Sequence, residues 1–307
     1  MRDQTRFTSG DSECAAWHYP GATAACVIMA AGLGVTKEPG TDLFARRFQE
    51  AGFHVLAFDY RHFGASGGRP RQVARVREQI ADWHAAIDHA ATLPGVHPAQ
   101  LAIWGFSTSG GHVLRVAADR PGLAAAIAQT PSVDGPAVGR NAMRHQTPAA
   151  MLRLTGRGLR DAVGALAGHP PRLVALDGPP GTVAVLTTPD AQDSGRALNP
   201  GDRYPQWQRG VAARSALRFA VYRPGRWAAR VRCPLLVVVA DQDQVALPGP
   251  AARAAGRAPR GELVRLPGGH YAPFLDQHEP AATAEIAFLQ AHLPTRAKRP
   301  SAPAGPC

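Results

Sequence analysis

The chain has 307 residues, 45% of them hydrophobic and 19% charged, which suits a globular protein with a sizeable core and excludes wholesale disorder. Its longest nearly apolar run, Ala22 to Val35, is too short for a bilayer and is broken by glycines, and the start Met1-Arg2-Asp3-Gln4 lacks the apolar core of a secretory signal. The net charge of +11 comes from scattered arginines with only two lysines, Lys37 and Lys298, so no dense basic stripe argues for nucleic acid.

Arg6 to Tyr19 reads as two strands around a Ser9-Gly10-Asp11 turn. Ala24 to Ala30 is a short apolar run closed by Gly32 and Gly34, the pattern of a buried strand. Thr41 to Ala51 reads as a helix capped by Thr41, with Leu43, Phe44 and Phe48 on one face. His54 to Tyr60 is a strand, and Gln72 to Ala91 a helix with Val73, Val76, Ile80, Trp83 and Ile87 on its apolar stripe. Strand Leu101–Trp104, helix His112–Ala118 and strand Ala124–Gln129 follow. This alternation implies an α/β fold, a mostly parallel sheet with helices on both faces.

The rhythm stops at Pro131 and resumes with strand Pro234–Ala240, helix Pro248–Arg257, strand Glu262–Leu266 and helix Ala282–Leu293. Residues 1–130 and 234–294 therefore form the expected core. Residues 131–233 form an inserted, mainly helical lid with a helix at Ala149–Leu166 and a hairpin at Arg172–Leu186. Residues 295–307 read as a disordered tail. Cys14, Cys26, Cys233 and Cys307 form no CxxC pair and no metal-ligand spacing, so neither a metal nor a disulfide framework is expected, and a cytoplasmic location fits.

The chemistry concentrates at Gly105-Phe106-Ser107-Thr108-Ser109-Gly110-Gly111. A buried strand runs through small residues and a serine into a helix, the context of a nucleophile elbow. Ser109 is a second possible register, but the apolar run ends at Trp104, which favours Ser107. A serine hydroxyl needs a histidine base, and the histidine needs a carboxylate. Asp241-Gln242-Asp243 follows one late strand and Gly268-Gly269-His270-Tyr271 the next, both at strand ends where open α/β sheets place their sites. Asp134 is a third carboxylate candidate.

The order Ser, Asp, His, together with Asp59-Tyr60-Arg61-His62-Phe63-Gly64-Ala65-Ser66, resembles the α/β-hydrolase family over about Arg6 to Leu293. The resemblance implies Ser107 as nucleophile, His270 as base and Asp243 as acid, since the family commonly places the acid three residues after the small residue that ends the strand, here Ala240. It also implies an oxyanion hole from the amides of Leu33 and Thr108, although Ala31-Gly32 stands where the family often has His-Gly. Asp59 and Arg61 read as structural supports. Met143, Trp207, Phe219 and Tyr222, with Tyr204, are candidates to line an acyl pocket.

The implied activity is cofactor-free hydrolysis of an ester, thioester, lactone or amide of a small-molecule acyl substrate. The loop Gly32 to Glu38 is also similar to that of fungal polyketide transferases, making acyl transfer the second reading. A non-catalytic ligand receptor on the same fold is a third. Neither nucleic acid nor a membrane is expected as partner, and the oligomeric state is left open, a homodimer being one arrangement.

Overall fold

The computed structural model describes residues 2–293. The proposed tail 295–307, with Cys307, lies outside the described residues. The chain begins with β1 (Asp3–Ser9), β2 (Ser12–Tyr19), β3 (Cys26–Ala30), α1 (Lys37–Glu50), β4 (His54–Phe58), α2 (Val76–Ala90), β5 (Leu101–Phe106), α3 (Thr108–Asp119) and β6 (Ala125–Gln129). The insert carries α4 (Gly135–Ala142), α5 (Pro148–Leu166), β7 (Leu173–Asp177), β8 (Ala184–Leu186), α6 (Ser194–Leu198), β9 (Gly210–Ala212) and α7 (Ala213–Ala220). The core closes with β10 (Leu235–Ala240), α8 (Pro248–Arg257), β11 (Gly261–Leu266) and α9 (His278–His292).

Eight strands form one sheet in the order β1-β2-β4-β3-β5-β6-β10-β11. β2 pairs antiparallel with β1 and β4, and the remaining neighbours are parallel. β3, β4, β5, β6 and β10 are buried along their whole length, because helices cover both faces and leave no solvated side. Phe44 of α1 packs on Trp104 of β5, while Trp83 of α2 packs edge-on against Phe58 of β4. All four rings are essentially inaccessible to solvent.

Three details differ from the sequence expectation. Helix α1 starts at Lys37 rather than behind Thr41; the Thr41 hydroxyl donates to the Lys37 carbonyl from inside the helix. Leu43 lies on the exposed side while Phe44 and Phe48 are buried, as adjacent helical positions must diverge by about 100°. In the insert, β7 and β8 pair in parallel, not as a hairpin, and β9 adds antiparallel on the other side of β7. The six residues between β7 and β8 carry the chain back to the starting end of the strand, which a tight turn cannot do.

Candidate active site

Ser107 sits between β5 and α3 with φ 57° and ψ −117°, a left-handed backbone that an L-residue adopts only when its surroundings impose it. Those surroundings are tight. A Cβ on Gly105 would lie 2.5 Å from the Ser109 carbonyl oxygen, so strand and helix can approach only because Gly105 has none. The turn raises Ser107 clear of the sheet at the N-terminus of α3.

The Ser107 Oγ lies 3.0 Å from His270 Nε2, and His270 Nδ1 lies 2.8 Å from Asp243 Oδ2. A carboxylate only accepts, so Nδ1 carries the ring proton and Nε2 is left to accept from the serine. The other Asp243 oxygen accepts from the Val245 and Ala246 amides at 2.9 and 2.7 Å. Both Asp243 and His270 are buried, and Phe106 packs 5.0 Å from the imidazole, ring to ring.

The competing residues are engaged elsewhere. The Ser109 hydroxyl donates to the Ala31 carbonyl and accepts from Tyr60, whose oxygen in turn accepts from the Trp83 indole at 2.7 Å. Asp241 is exposed and pairs with Arg265 at 2.7 Å. Asp134 caps α4 through the Ala137 amide and faces Arg223.

The loop carrying Leu33 is fixed at both ends. The Ser109 hydroxyl holds the Ala31 carbonyl at one end. At the other, Asp59 accepts from the Lys37 amide and from its ammonium, both at 2.7 Å. Burial pushes the Asp59 carboxyl up, and the buried Lys37 ammonium opposes that shift. Arg61 binds Asp82 and Ser9, so the expected supporting role of Asp59 and Arg61 has a physical form. Gly32 lies against Ser107, where a Cβ would be 3.2 Å from the serine Cβ. The Leu33 and Thr108 amides donate to no other described residue, which leaves both available to a charge developing beside Ser107.

A cavity of about 170 Å³ opens at Ser107, lined by Leu33 and Thr108 from the core and by Leu154, Leu186, Phe219 and Tyr222 from the insert. Three expected lining residues are not in its wall. Met143 is 58% exposed at the end of α4. Trp207 is buried, but its indole donates to the Gly34 carbonyl at 2.9 Å and so braces the loop behind Leu33. Tyr204 likewise points away, bonding Asp42 at 3.3 Å.

Two residues escaped the sequence reading. Tyr271, next to His270, lines the cavity. Asp190, in a 3-10 turn of the insert, accepts from the Gln244 amide at 2.8 Å and the His270 amide at 3.1 Å through one carboxylate oxygen, while Thr188 donates to the other. Nothing in its local sequence marks it, because its partners lie 54 and 80 positions away.

Comparison with known proteins agrees with this architecture. A family profile described as serine aminopeptidase, S33 matches residues 21–167. The quorum-quenching protein AidA of Acinetobacter baumannii is 36% identical over 95% of both chains. The chain belongs to the α/β-hydrolase family. Within that family it is similar to the polyketide transferase grgF of Penicillium sp., at 33% identity over 43% of this chain and 46% of the relative. The crystal structure of GrgF superposes with a TM-score of 0.79 over 95% of this chain and 99% of that one, at 22% identity. A thiohydrolase, aneE of Aspergillus aculeatus, is 39% identical over 27% of this chain and 26% of its own. No described helix is long and apolar enough to cross a membrane.

Proposed function

We propose that the protein is a serine hydrolase that cleaves an ester, thioester, lactone or amide through an acyl-enzyme on Ser107. The observation that carries this is the line Asp243–His270–Ser107, joined by hydrogen bonds of 2.8 and 3.0 Å. His270 takes the serine proton as Oγ attacks the substrate carbonyl, and Asp243 holds the imidazole in the tautomer that can do so. The Leu33 and Thr108 amides stabilise the oxyanion. His270 then protonates the leaving group, and water, deprotonated by the same histidine, releases the acid. The insert, residues 131–233, acts as a lid whose Phe219 and Tyr222 contact the acyl group.

The names of two relatives bear on the choice of substrate: one is called a thiohydrolase and another quorum-quenching. Thioesters therefore belong in the test panel beside esters and lactones. Acyl transfer to an alcohol or amine is the second reading, favoured by the similarity to the polyketide transferase and by the mainly apolar lining of the cavity.

The test is a panel of p-nitrophenyl esters, thioesters and lactones of graded acyl length, run with and without a competing alcohol. Ser107→Ala and His270→Ala should each lose roughly a thousand-fold or more of turnover. Ester product formed from the added alcohol would favour transfer over hydrolysis. Asp243→Asn should impair the rate far more than Asp241→Asn. Wild-type protein that fails both to turn over any substrate and to react with a fluorophosphonate would instead support a ligand receptor.

A further inference from the structure

The cavity beside Ser107 is not uniformly apolar. Two of the residues lining it, Thr187 and Tyr271, carry hydroxyls and are only 3% and 6% exposed. Neither hydroxyl makes a hydrogen bond to another described residue. Thr108 and Ser132 in the same wall are also unpaired but only half-buried, whereas other polar neighbours are engaged. Tyr222, in the same wall, is paired with His112 at 3.0 Å. Gln146 has both ends of its amide engaged by backbone groups. Thr188, one residue on, donates to Asp190.

Neither hydroxyl is among the fully buried polar atoms that lack a partner, so both keep some accessible surface. Each therefore has hydrogen-bonding capacity that no described protein group uses and that a ligand atom in the cavity can reach. The segments that carry them are tied together. Thr187 lies three residues before Asp190 and Tyr271 directly follows His270, and the Asp190 carboxylate binds the His270 amide at 3.1 Å. The Tyr271 ring is further fixed by His270 at 4.9 Å and Phe106 at 5.9 Å between centroids.

We propose that Thr187 and Tyr271 form a polar subsite that recognises a second hydrogen-bonding group on the substrate, a hydroxyl or carbonyl oxygen close to the scissile carbonyl. The preferred substrate is then an oxygenated acyl compound or an oxygenated leaving group, not a plain alkyl ester. The inference rests on the hydrolase reading of Ser107, since it concerns the same cavity. A hydroxyl can donate and accept, so the pair serves either oxygen type. Sites built around such bonds discriminate strongly against an analogue that lacks the polar group, because the protein hydroxyls are then stranded.

Two matched substrate pairs test this. The first compares p-nitrophenyl hexanoate with p-nitrophenyl 3-hydroxyhexanoate and its 3-oxo counterpart. The second compares butyl with 3-hydroxybutyl as the alcohol part of a hexanoate ester. Each is measured with wild type, Tyr271→Phe and Thr187→Val, and the readout is the ratio of kcat/KM within a pair. Wild type should favour the oxygenated member of one pair, and each substitution should reduce that ratio roughly three- to ten-fold. The pair that responds shows which side of the scissile bond the subsite serves. Ratios near one in wild type, or ratios that neither substitution moves, would overturn the proposal. Calorimetric binding of the intact esters to Ser107→Ala, with and without Tyr271→Phe, reads the same preference without catalysis. Turnover by Ser107→Ala at the wild-type rate would sink the hydrolase reading while the binding preference still decides the subsite. An inactive Ser107→Ala with no binding preference sinks the subsite alone.

Discussion

Ser107 and Ser109 are the same residue type two positions apart, yet their surroundings give them opposite fates. One is held at positive φ facing His270; the other is buried and committed to Ala31 and Tyr60. The choice between them was legible from where the apolar run ends, but the use of Ser109 to anchor the Leu33 loop was not, since its partners come from 49 and 78 positions away. That anchor supplies a support where Ala31 stands in place of a histidine. His112 is a second buried residue with a measurable signature. It lies between Tyr222 and Gln79, at 3.0 Å from each, and burial pushes it down to about 3. An unfolded histidine titrates near ~6.5, so between that value and about 3 the unfolded chain binds the extra proton and the folded one does not. Stability from this group is therefore complete above the unfolded value and falls as the pH drops through that window, by at most about 1.4 kcal/mol per pH unit. His112→Gln removes the titration. Urea denaturation from pH 7 to pH 4.5 should show the wild type losing its advantage over the variant with acidification; parallel curves would contradict the burial argument.

The elbow joining β5 to α3 is the element on which the site depends most. Alanine at 105 would bring a Cβ to 2.5 Å from the Ser109 carbonyl oxygen and 2.6 Å from its carbon. Both atoms are backbone and cannot swing aside, so the strand or the helix must move. Gly105→Ala should destabilise by about 1–3 kcal/mol, the usual cost of forced overpacking, and should slow phosphonate labelling of Ser107 because the serine moves with the turn. Melting and labelling both at wild-type values would show that the contact relaxes at no cost. The elements around this turn differ in how visible they were. β3, β6 and β10 are buried on both faces, so their sequences are continuous apolar runs between glycines or prolines, and they stand out. The β7–β8–β9 sheet did not, because strands of three to five residues carry too little pattern to reveal that β7 takes one parallel and one antiparallel partner. Helix α5 was legible in extent, yet it keeps Leu159, Val163 and Leu166 exposed while Leu154 lines the cavity. An aliphatic residue alone does not say which surface it covers, and the same ambiguity misplaced Met143 and Trp207.

At the scale of the whole molecule, segment 131–233 does more than line the cavity, because it supplies part of the frame that holds the Asp243 and His270 loops. Asp243 and His270 come from loops after β10 and β11, and the two loops are tied together from outside by Asp190 of the insert, whose single oxygen accepts from the Gln244 and His270 amides. Gly269 lets the turn approach, since a Cβ there would lie 2.7 Å from the Asp190 Cβ. The path from the cavity wall to the histidine is short: β8, Thr187, Thr188, Asp190, then the His270 backbone. Removing the carboxylate strands two amides and frees both loops to drift, and a misplacement of about 1 Å in a reacting group can cost roughly a hundred-fold in rate. Asp190→Ala should therefore lower kcat by roughly ten- to a hundred-fold with a much smaller change in KM, and Asp190→Asn, which keeps an accepting oxygen, should recover part of the loss. The Thr188 hydroxyl orients the carboxylate, so Thr188→Val should shift kcat in the same direction by less. If Asp190 were only a surface residue of the lid, its loss would raise KM and leave kcat and the labelling rate of Ser107 where they were. Fluorophosphonate labelling alongside steady-state kinetics separates the two outcomes, because labelling reports the Ser107–His270 geometry without requiring the lid to hold a long acyl chain.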